Sequence, residues 1–121
     1  MSHRAQPEAQ LHAAVVEHLR RRAKPDVLWL HPANGEHRDV ITGAKLKRMG
    51  VLPGASDLVL WHRGCCSFAL ELKARGRRLS EAQLAFMARF NDAGGHTAVA
   101  EGIDRALACL EAWGLLRGRV T

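Results

Sequence analysis

Cysteines, long apolar runs and acidic residues are all scarce in this chain. The cysteines, Cys65, Cys66 and Cys109, are odd in number and have no C-x-x-C spacing, which argues against a disulfide framework and against a zinc site. Uncharged apolar runs fall far short of the ~20 residues that a membrane-spanning helix needs. Residues 1–7 are polar and lack the apolar centre of a signal peptide, so we expect a cytoplasmic protein that is not secreted.

The shortage of acids leaves the chain strongly basic. Eighteen Lys and Arg residues against 12 Asp and Glu give a formal net charge of +6 and a pI near 10.0. A basic surface attracts polyanions by counterion release and long-range steering. Nucleic acid is therefore the expected partner, although the same charge is also compatible with a surface that is merely well solvated.

The length and the hydrophobic periodicity predict a single α/β domain over residues 1–121. A chain of 121 residues buries roughly two-thirds of its unfolded surface in one core. Apolar spacing and turn residues predict the order α-β-(α)-β-β-α-β-α, with Thr42 as the N-cap of the second helix. The elements span about 7–24, 27–31, 42–49, 57–61, 67–73, 80–94, 96–100 and 103–114.

Two acids and a lysine stand out on the central pair of predicted strands. Asp57 and Glu71 lie at equal distances along the chain from Gly64 in the intervening turn, so a hairpin would place them opposite each other. Two such carboxylates can hold the cation that phosphodiester hydrolysis requires, and Lys73 would emerge on the same face of the strand. The alternative is that Asp57 caps a turn while Glu71 and Lys73 form a surface ion pair.

Two helix residues extend this cluster. Glu8 lies on the apolar stripe of the first helix, where an acid is unusual, although at a helix start it can serve the helix dipole. Ser80 and Gln83 form the S-x-x-Q pattern of a capping box. None of the seven histidines forms an H-x-x-x-H pair with a third ligand nearby, and only His31 is predicted to lie near the site.

The ordered set of motifs resembles a known nuclease family. The segments M-G-V-L-P-G-A-S-D-L, L-E-L-K and R-L-S-E-A-Q, with H-P-A-N-G upstream and G-G-H-T-A-V-A downstream, are similar to the VRR-NUC group of the PD-(D/E)XK superfamily, in its stand-alone bacterial or phage type. The resemblance implies a restriction-endonuclease-like core, in which a mixed four-stranded sheet is flanked by helices. It also implies cleavage of nucleic acid with Mg²⁺ or Mn²⁺.

The same resemblance implies roles for individual residues. Asp57 and Glu71 match the acidic metal ligands, together with the backbone carbonyl of Leu72. Lys73 matches the catalytic lysine, while Glu8 and Gln83 match the acid of the first helix and the glutamine of the later helix. Polar and basic residues on flanking loops and on one helix face are candidates for phosphate contacts. These are Asn34, Arg38, Lys45, Arg48, Arg75, Arg77 and Arg78.

The resemblance further suggests a structure-selective endonuclease that acts as a homodimer on branched DNA such as four-way (Holliday) junctions. A two-fold symmetric enzyme presents two active sites to a symmetric junction. Two alternatives stay open at this point. One is a flap or nicking nuclease of a phage-type replication or repair system, and the other is a basic nucleic-acid-binding module without catalysis.

Overall fold

The predicted order of helices and strands is confirmed by a computed structural model, which describes residues 6–32, 40–63 and 66–118. One local prediction is wrong: the second helix begins at Val40, so Thr42 lies inside it and does not cap it. Within the described residues, no helix is long and apolar enough to cross a bilayer. The elements are α1 (Gln6–Arg22), β1 (Leu28–Leu30), α2 (Val40–Arg48), β2 (Leu58–His62), β3 (Cys66–Lys73), α3 (Glu81–Asp92), β4 (His96–Glu101) and α4 (Ile103–Ala112).

The four strands form one mixed sheet in the order β1-β2-β3-β4. β1 and β3 both run antiparallel to β2, whereas β4 runs parallel to β3. The parallel pair is joined through α3, because parallel strands need a crossover connection. This sheet with flanking helices is the restriction-endonuclease-like fold that the sequence predicts.

One face of the sheet carries the apolar core. The buried side chains of β3 on this face are Phe68, Leu70 and Leu72, which alternate with residues of the opposite face. α1 contributes Leu11, Val15 and Leu19 at helical spacing, and α4 contributes Ala106, Leu107 and Leu110. Burial of this common surface is the main force that fixes α1 against the sheet.

The opposite face of β3 is also buried but is partly polar. Glu71 is 3% exposed and Lys73 is 8% exposed. α3 lies over this face, since its Gln83 contacts the Glu71 carboxylate. The approach of α3 depends on Gly54, which has a φ of +76° and where an added Cβ would lie 2.3 Å from the Ala82 carbonyl carbon. Only glycine fits there, because any side chain would collide with the backbone of the first turn of α3.

Candidate active site

Asp57 lies immediately before β2, at the end of the sheet where β3 continues past its neighbour. Leu58 pairs with Leu70 in the antiparallel register, which brings Asp57 to the level of Glu71. The Leu72 N–H has no strand residue opposite it and donates instead to Asp57 Oδ2 at 2.7 Å. In such a ladder the N–H and C=O of one residue face the same neighbour, so the Leu72 carbonyl points toward the Asp57 side.

Glu71 is a buried acid with one oxygen bound and one available. Its Oε1 accepts a hydrogen bond of 2.8 Å from Gln83 Nε2. Its Oε2 is buried and has no hydrogen-bond partner within the described parts of the chain. Burial, and next the negative charge of Asp57, raise the pKa of Glu71 to about 8, while the Lys73 ammonium opposes the shift. A cation between the two carboxylates would favour their ionised forms and oppose that shift.

Gln83 performs two structural tasks with one side chain. Its Oε1 accepts from the Ser80 N–H at 2.8 Å, and the Ser80 hydroxyl accepts from the Gln83 N–H at 3.1 Å, which completes the predicted capping box. The Nε2 remains free of that box and donates to Glu71. The start of α3 is thereby tied directly to Glu71, so participation of Gln83 in the capping box does not prevent its contact with the acid.

Lys73 ends β3 on the same face as Glu71. Its partner in the parallel register is Glu101 of β4, and its side chain lines a cleft of about 480 Å³ together with Arg75 and the first turns of α1. The ammonium is close enough to Glu71 to favour the ionised carboxylate there. A buried lysine beside two acids and an open cleft can position a water or an anionic oxygen.

Glu8 approaches the acids from α1. It lines an open cleft of about 500 Å³ that also contains His12, His31 and Asp57. Its Oε2 is buried and lies 3.7 Å from Arg77 Nε, as an ion pair without a hydrogen bond at that oxygen. Arg77, which the sequence predicts to contact phosphate, therefore faces a site acid in this structure.

Two histidines meet at Asp57, and sequence reasoning found only one of them. His31 lies beside Asp57 as expected, with its Nδ1 2.6 Å from the Asp57 backbone oxygen. His12, which is not among the residues predicted to lie near the site, has its Nδ1 3.8 Å from Asp57 Oδ1 and its ring 4.4 Å from that of His31. The prediction for His12 is wrong. The available signal was its position one helical turn after Glu8 on α1.

The surroundings of the His12 imidazole favour its neutral form. Partial burial, and then the neighbouring His31, lower the pKa of His12 below its ordinary value of 6.5, whereas Asp57 opposes this change. A neutral imidazole is the form that binds metal ions.

The candidate phosphate-binding residues are dispersed. Lys45 and Arg48 are exposed on α2, and Arg75, Arg77 and Arg78 are exposed on the turn between β3 and α3. In the described contacts Arg75 shares a cleft with Lys73 and Arg77 pairs with Glu8, but α2 is not joined to the site acids. Asn34 and Arg38 lie outside the described residues.

The oxygen ligands at the end of β2 and β3 suit a hard divalent cation. Two carboxylates and a main-chain carbonyl converge from Asp57, Glu71 and Leu72, with the Glu8 carboxylate on the adjacent helix. Mg²⁺ prefers oxygen ligands and keeps several waters, so two or three protein oxygens are sufficient. Among the described residues, the buried Glu71 Oε2 without a hydrogen-bond partner and the raised pKa of Glu71 fit a site where a cation would stabilise both carboxylates.

Comparisons with known proteins identify the family and the fold of the chain. The profile of the family described as "VRR-NUC domain" matches residues 6–104. A solved structure titled "VRR_NUC domain protein" superposes with a TM-score of 0.68 at 21% sequence identity, over 88% of this chain and 87% of the other. No curated protein matches the sequence. At this identity the structural match supports the fold alone, whereas the family profile covers nearly all the elements described above.

Proposed function

The chain belongs to the VRR-NUC domain family and is a nuclease-type domain, and we propose that it hydrolyses DNA phosphodiester bonds with Mg²⁺ or Mn²⁺ held by Asp57 and Glu71. The observation that carries this proposal is the pair of adjacent carboxylates at the end of β2 and β3. Burial and mutual repulsion raise the pKa of Glu71 to about 8. Such an arrangement is unfavourable without a cation and is typical of a functional site.

Different residues of the site have different roles in the proposed hydrolysis. Asp57, Glu71 and the Leu72 carbonyl would hold the metal, with Glu8 completing the acidic set directly or through water. When bound, the cation neutralises charge that develops on the phosphate. Lys73 orients the attacking water or donates to a phosphate oxygen, because its ammonium interacts with the Glu71 carboxylate and Lys73 also lines a cleft. Gln83 fixes the rotamer of Glu71 through the 2.8 Å hydrogen bond to Oε1.

Recognition of DNA would rely on phosphates. Contacts to the DNA phosphates, which carry no nucleobase preference, would come from exposed basic side chains and from two residues outside the described ranges. The exposed ones are Lys45, Arg48, Arg75 and Arg78, and the other two are Asn34 and Arg38. Arg77 would exchange its Glu8 partner for a phosphate once a cation reduces the negative charge of the site. Each phosphate contact that a substitution removes should reduce the slope of log K against log salt by about 0.9 on duplex DNA.

Branched DNA is the substrate that we propose, with a homodimer as the active form. The support is that the residues described by the structure form one acidic pair, Asp57 and Glu71, at one site, whereas two symmetric copies can cut two strands of a junction. Exposed apolar residues, among them Met49, Leu52 and Leu84, offer surface that a second copy could cover. Light scattering at assay concentration should give twice 13.3 kDa. A mass near 13.3 kDa would count against the dimer without bearing on hydrolysis.

Cleavage of a DNA panel tests the activity itself. Four-way junctions, flaps, nicked duplexes and linear duplexes of equal length would be incubated with Mg²⁺ or Mn²⁺, and the cut positions would be mapped. We expect cutting close to the branch point. Preference for flaps or nicks would replace the junction proposal but keep the nuclease. If every substrate stays intact while binding is salt-dependent, the chain is a binding module and the proposed reaction is wrong.

Substitutions of the central residues test the mechanism. Asp57→Asn, Glu71→Gln and Lys73→Met keep the approximate shape of each side chain but remove its charge. We expect each to abolish cutting, while the two acid variants bind DNA at least as well as the wild type, because less negative charge faces the phosphates. Cleavage at the wild-type rate in any one variant would remove that residue from the site.

Glu8 has a matched control on its own helix. Glu8→Gln should raise the Mg²⁺ concentration needed for half-maximal cleavage, because Glu8 faces the cleft that contains Asp57. Glu17→Gln should leave that concentration unchanged, because Glu17 is 60% exposed and pairs with Arg21 on the outer face of α1. Equal behaviour of the two variants would exclude Glu8 from the metal site.

A further inference from the structure

A second set of metal-binding side chains adjoins the acidic pair and differs from it in chemistry. His12, His31 and Asp57 each offer one ligand atom, and these three atoms lie within 4.8 Å of one another. Two of the three donors are imidazole nitrogens. Imidazole suits Zn²⁺, Co²⁺ and Ni²⁺, whereas Mg²⁺ prefers oxygen. The set is therefore not a duplicate of the Asp57–Glu71 pair.

The hydrogen bond at His31 fixes which of its nitrogens is available. Nδ1 lies 2.6 Å from the backbone oxygen of Asp57. A carbonyl oxygen can only accept, so Nδ1 must carry the proton, and Nε2 of the neutral ring is then an unprotonated base. Histidine ligands almost always donate their other ring N–H to a carboxylate, a backbone carbonyl or a water, which sets the tautomer and the orientation of the ring.

The spacing of the other two side chains is close to that of a filled site. His12 Nδ1 lies 3.8 Å from Asp57 Oδ1. Two ligands of a tetrahedral ion with bonds of about 2.0–2.1 Å lie about 3.3 Å apart, so a small side-chain rotation is sufficient. Asp57 Oδ2 is held by the Leu72 N–H, which leaves Oδ1 directed toward His12.

We propose that His12, His31 and Asp57 bind a transition-metal dication of the Zn²⁺ or Co²⁺ type, in a site that shares Asp57 with the oxygen-ligand site. Three protein ligands at the wall of an open cleft leave a fourth position for water or a phosphate oxygen. The site goes beyond the proposed hydrolysis, since binding of the ion requires no cleavage. Because both sites use Asp57, occupancy of one alters the affinity of the other.

Zinc titration of the full chain tests this site directly. Zn²⁺ alone would be added to protein in a non-chelating buffer, with calorimetry for affinity and NMR of the imidazole nitrogens for location. We expect one tight equivalent that shifts the ring signals of His12 and His31. His12→Gln and His31→Gln should each weaken binding at least ~10-fold, by analogy with the loss of supporting groups in other metal sites.

Two control variants separate this site from other ligands. His96→Gln should bind Zn²⁺ like the wild type, because His96 is exposed beside Phe68 at the other end of β4. Glu71→Gln should also keep its Zn²⁺ affinity, even though it is expected to lose Mg²⁺-dependent cleavage. If Glu71→Gln weakens Zn²⁺ binding as much as His12→Gln does, the ion occupies the acidic pair and the proposal is overturned. It is equally overturned if the shifted signals belong to other histidines.

Discussion

The two faces of β3 are buried to a similar extent but have opposite chemistry. Leu70 and Leu72 on one face are 0% and 2% exposed, and Glu71 and Lys73 on the other are 3% and 8% exposed. The apolar face is joined to α1 and α4 in a single core. The polar face contacts α3 through the hydrogen bond from Gln83 to Glu71, and burial on this face raises the pKa of Glu71.

Because side chains alternate along β3, one face of this strand stabilises the fold while the other carries the candidate active site. Apolar burial stabilises the fold by roughly 25 cal/mol per Å² removed from water. Burial of a carboxylate beside another carboxylate opposes folding unless a cation is present. Replacing Leu70 should therefore lower the stability of the metal-free protein, whereas replacing its neighbour Glu71 should raise it.

Leu70→Ala should have the largest effect. Leu70 is fully buried in the core cluster, and leucine truncation at such positions costs about 2–5 kcal/mol, because transfer energy is lost and a cavity remains. Urea denaturation of the metal-free protein would measure this loss. Leu84→Ala on the exposed side of α3, where Leu84 is 53% exposed, is the matched control and should cost far less. Similar losses would contradict the assignment of the core to this face.

Gly54→Ala should come next and should affect both stability and activity. The positive φ of +76° costs about 1–2 kcal/mol for alanine, and the Cβ would lie 2.3 Å from the Ala82 carbonyl carbon. The first turn of α3 would have to move, and Gln83 with it. Gly50→Ala is a close control, since Gly50 has a φ of +94° with no heavy atom near the added Cβ. Equal loss of cleavage in both variants would show that the approach of α3 is unimportant.

Local signals explain how much of this site could be predicted. The capping box at Ser80 and Gln83 needs only neighbours in sequence, and the Asp57–Glu71 pairing follows from a hairpin centred on Gly64. The family profile over residues 6–104 and the mixed sheet agree with the predicted fold class. The start of α2 was misplaced at Thr42 because the sequence offers two residue types favoured at an N-cap, Asp39 and Thr42, within four positions of each other.

The parts that escaped prediction depend on packing between distant segments. His12 reaches Asp57 only because Leu11, Val15 and Leu19 fix the rotation of α1 on the sheet. Arg77 meets Glu8 because the turn after β3 folds back toward α1. Neither contact follows from a fixed spacing between two residues in the sequence. Hydrophobic periodicity could indicate the buried face of α1, but it could not indicate which distant residue His12 or Glu8 contacts.

Glu71→Gln should stabilise the metal-free protein, in the opposite sense to Leu70→Ala. The ordinary pKa of this carboxyl is 4.5, and its folded value is about 8. Between these values the folded state holds a proton that the unfolded state has released. The protonated carboxyl therefore makes its full contribution to folding stability below pH 4.5, and this contribution is lost as the pH rises through 8. Glutamine does not titrate. The variant should therefore gain stability over the wild type with increasing pH.

Thermal melts in EDTA at about pH 5 and about pH 9, on either side of the folded pKa, would measure this difference. We expect a gain on the order of 1 kcal/mol at the higher pH, after allowance for solvent screening, and little or none at the lower pH. Mg²⁺ should stabilise the wild type but not the variant, because a ligand stabilises only the state that binds it. A pH-independent difference would mean that the carboxyl is ionised throughout.

Ser80→Ala should have the smallest effect, and it separates the two tasks of Gln83. Loss of the hydroxyl that accepts from the Gln83 N–H should cost about 1 kcal/mol of stability, while the Gln83–Glu71 hydrogen bond stays in place. Gln83→Ala removes the side-chain acceptor of the Ser80 N–H, which is one half of the box, and also the hydrogen bond to Glu71. Urea denaturation should find similar stabilities for the two variants, yet only Gln83→Ala should lower the cleavage rate at saturating Mg²⁺. Equal rates would assign Gln83 to the helix cap alone, and the polar face of β3 would then act without help from α3.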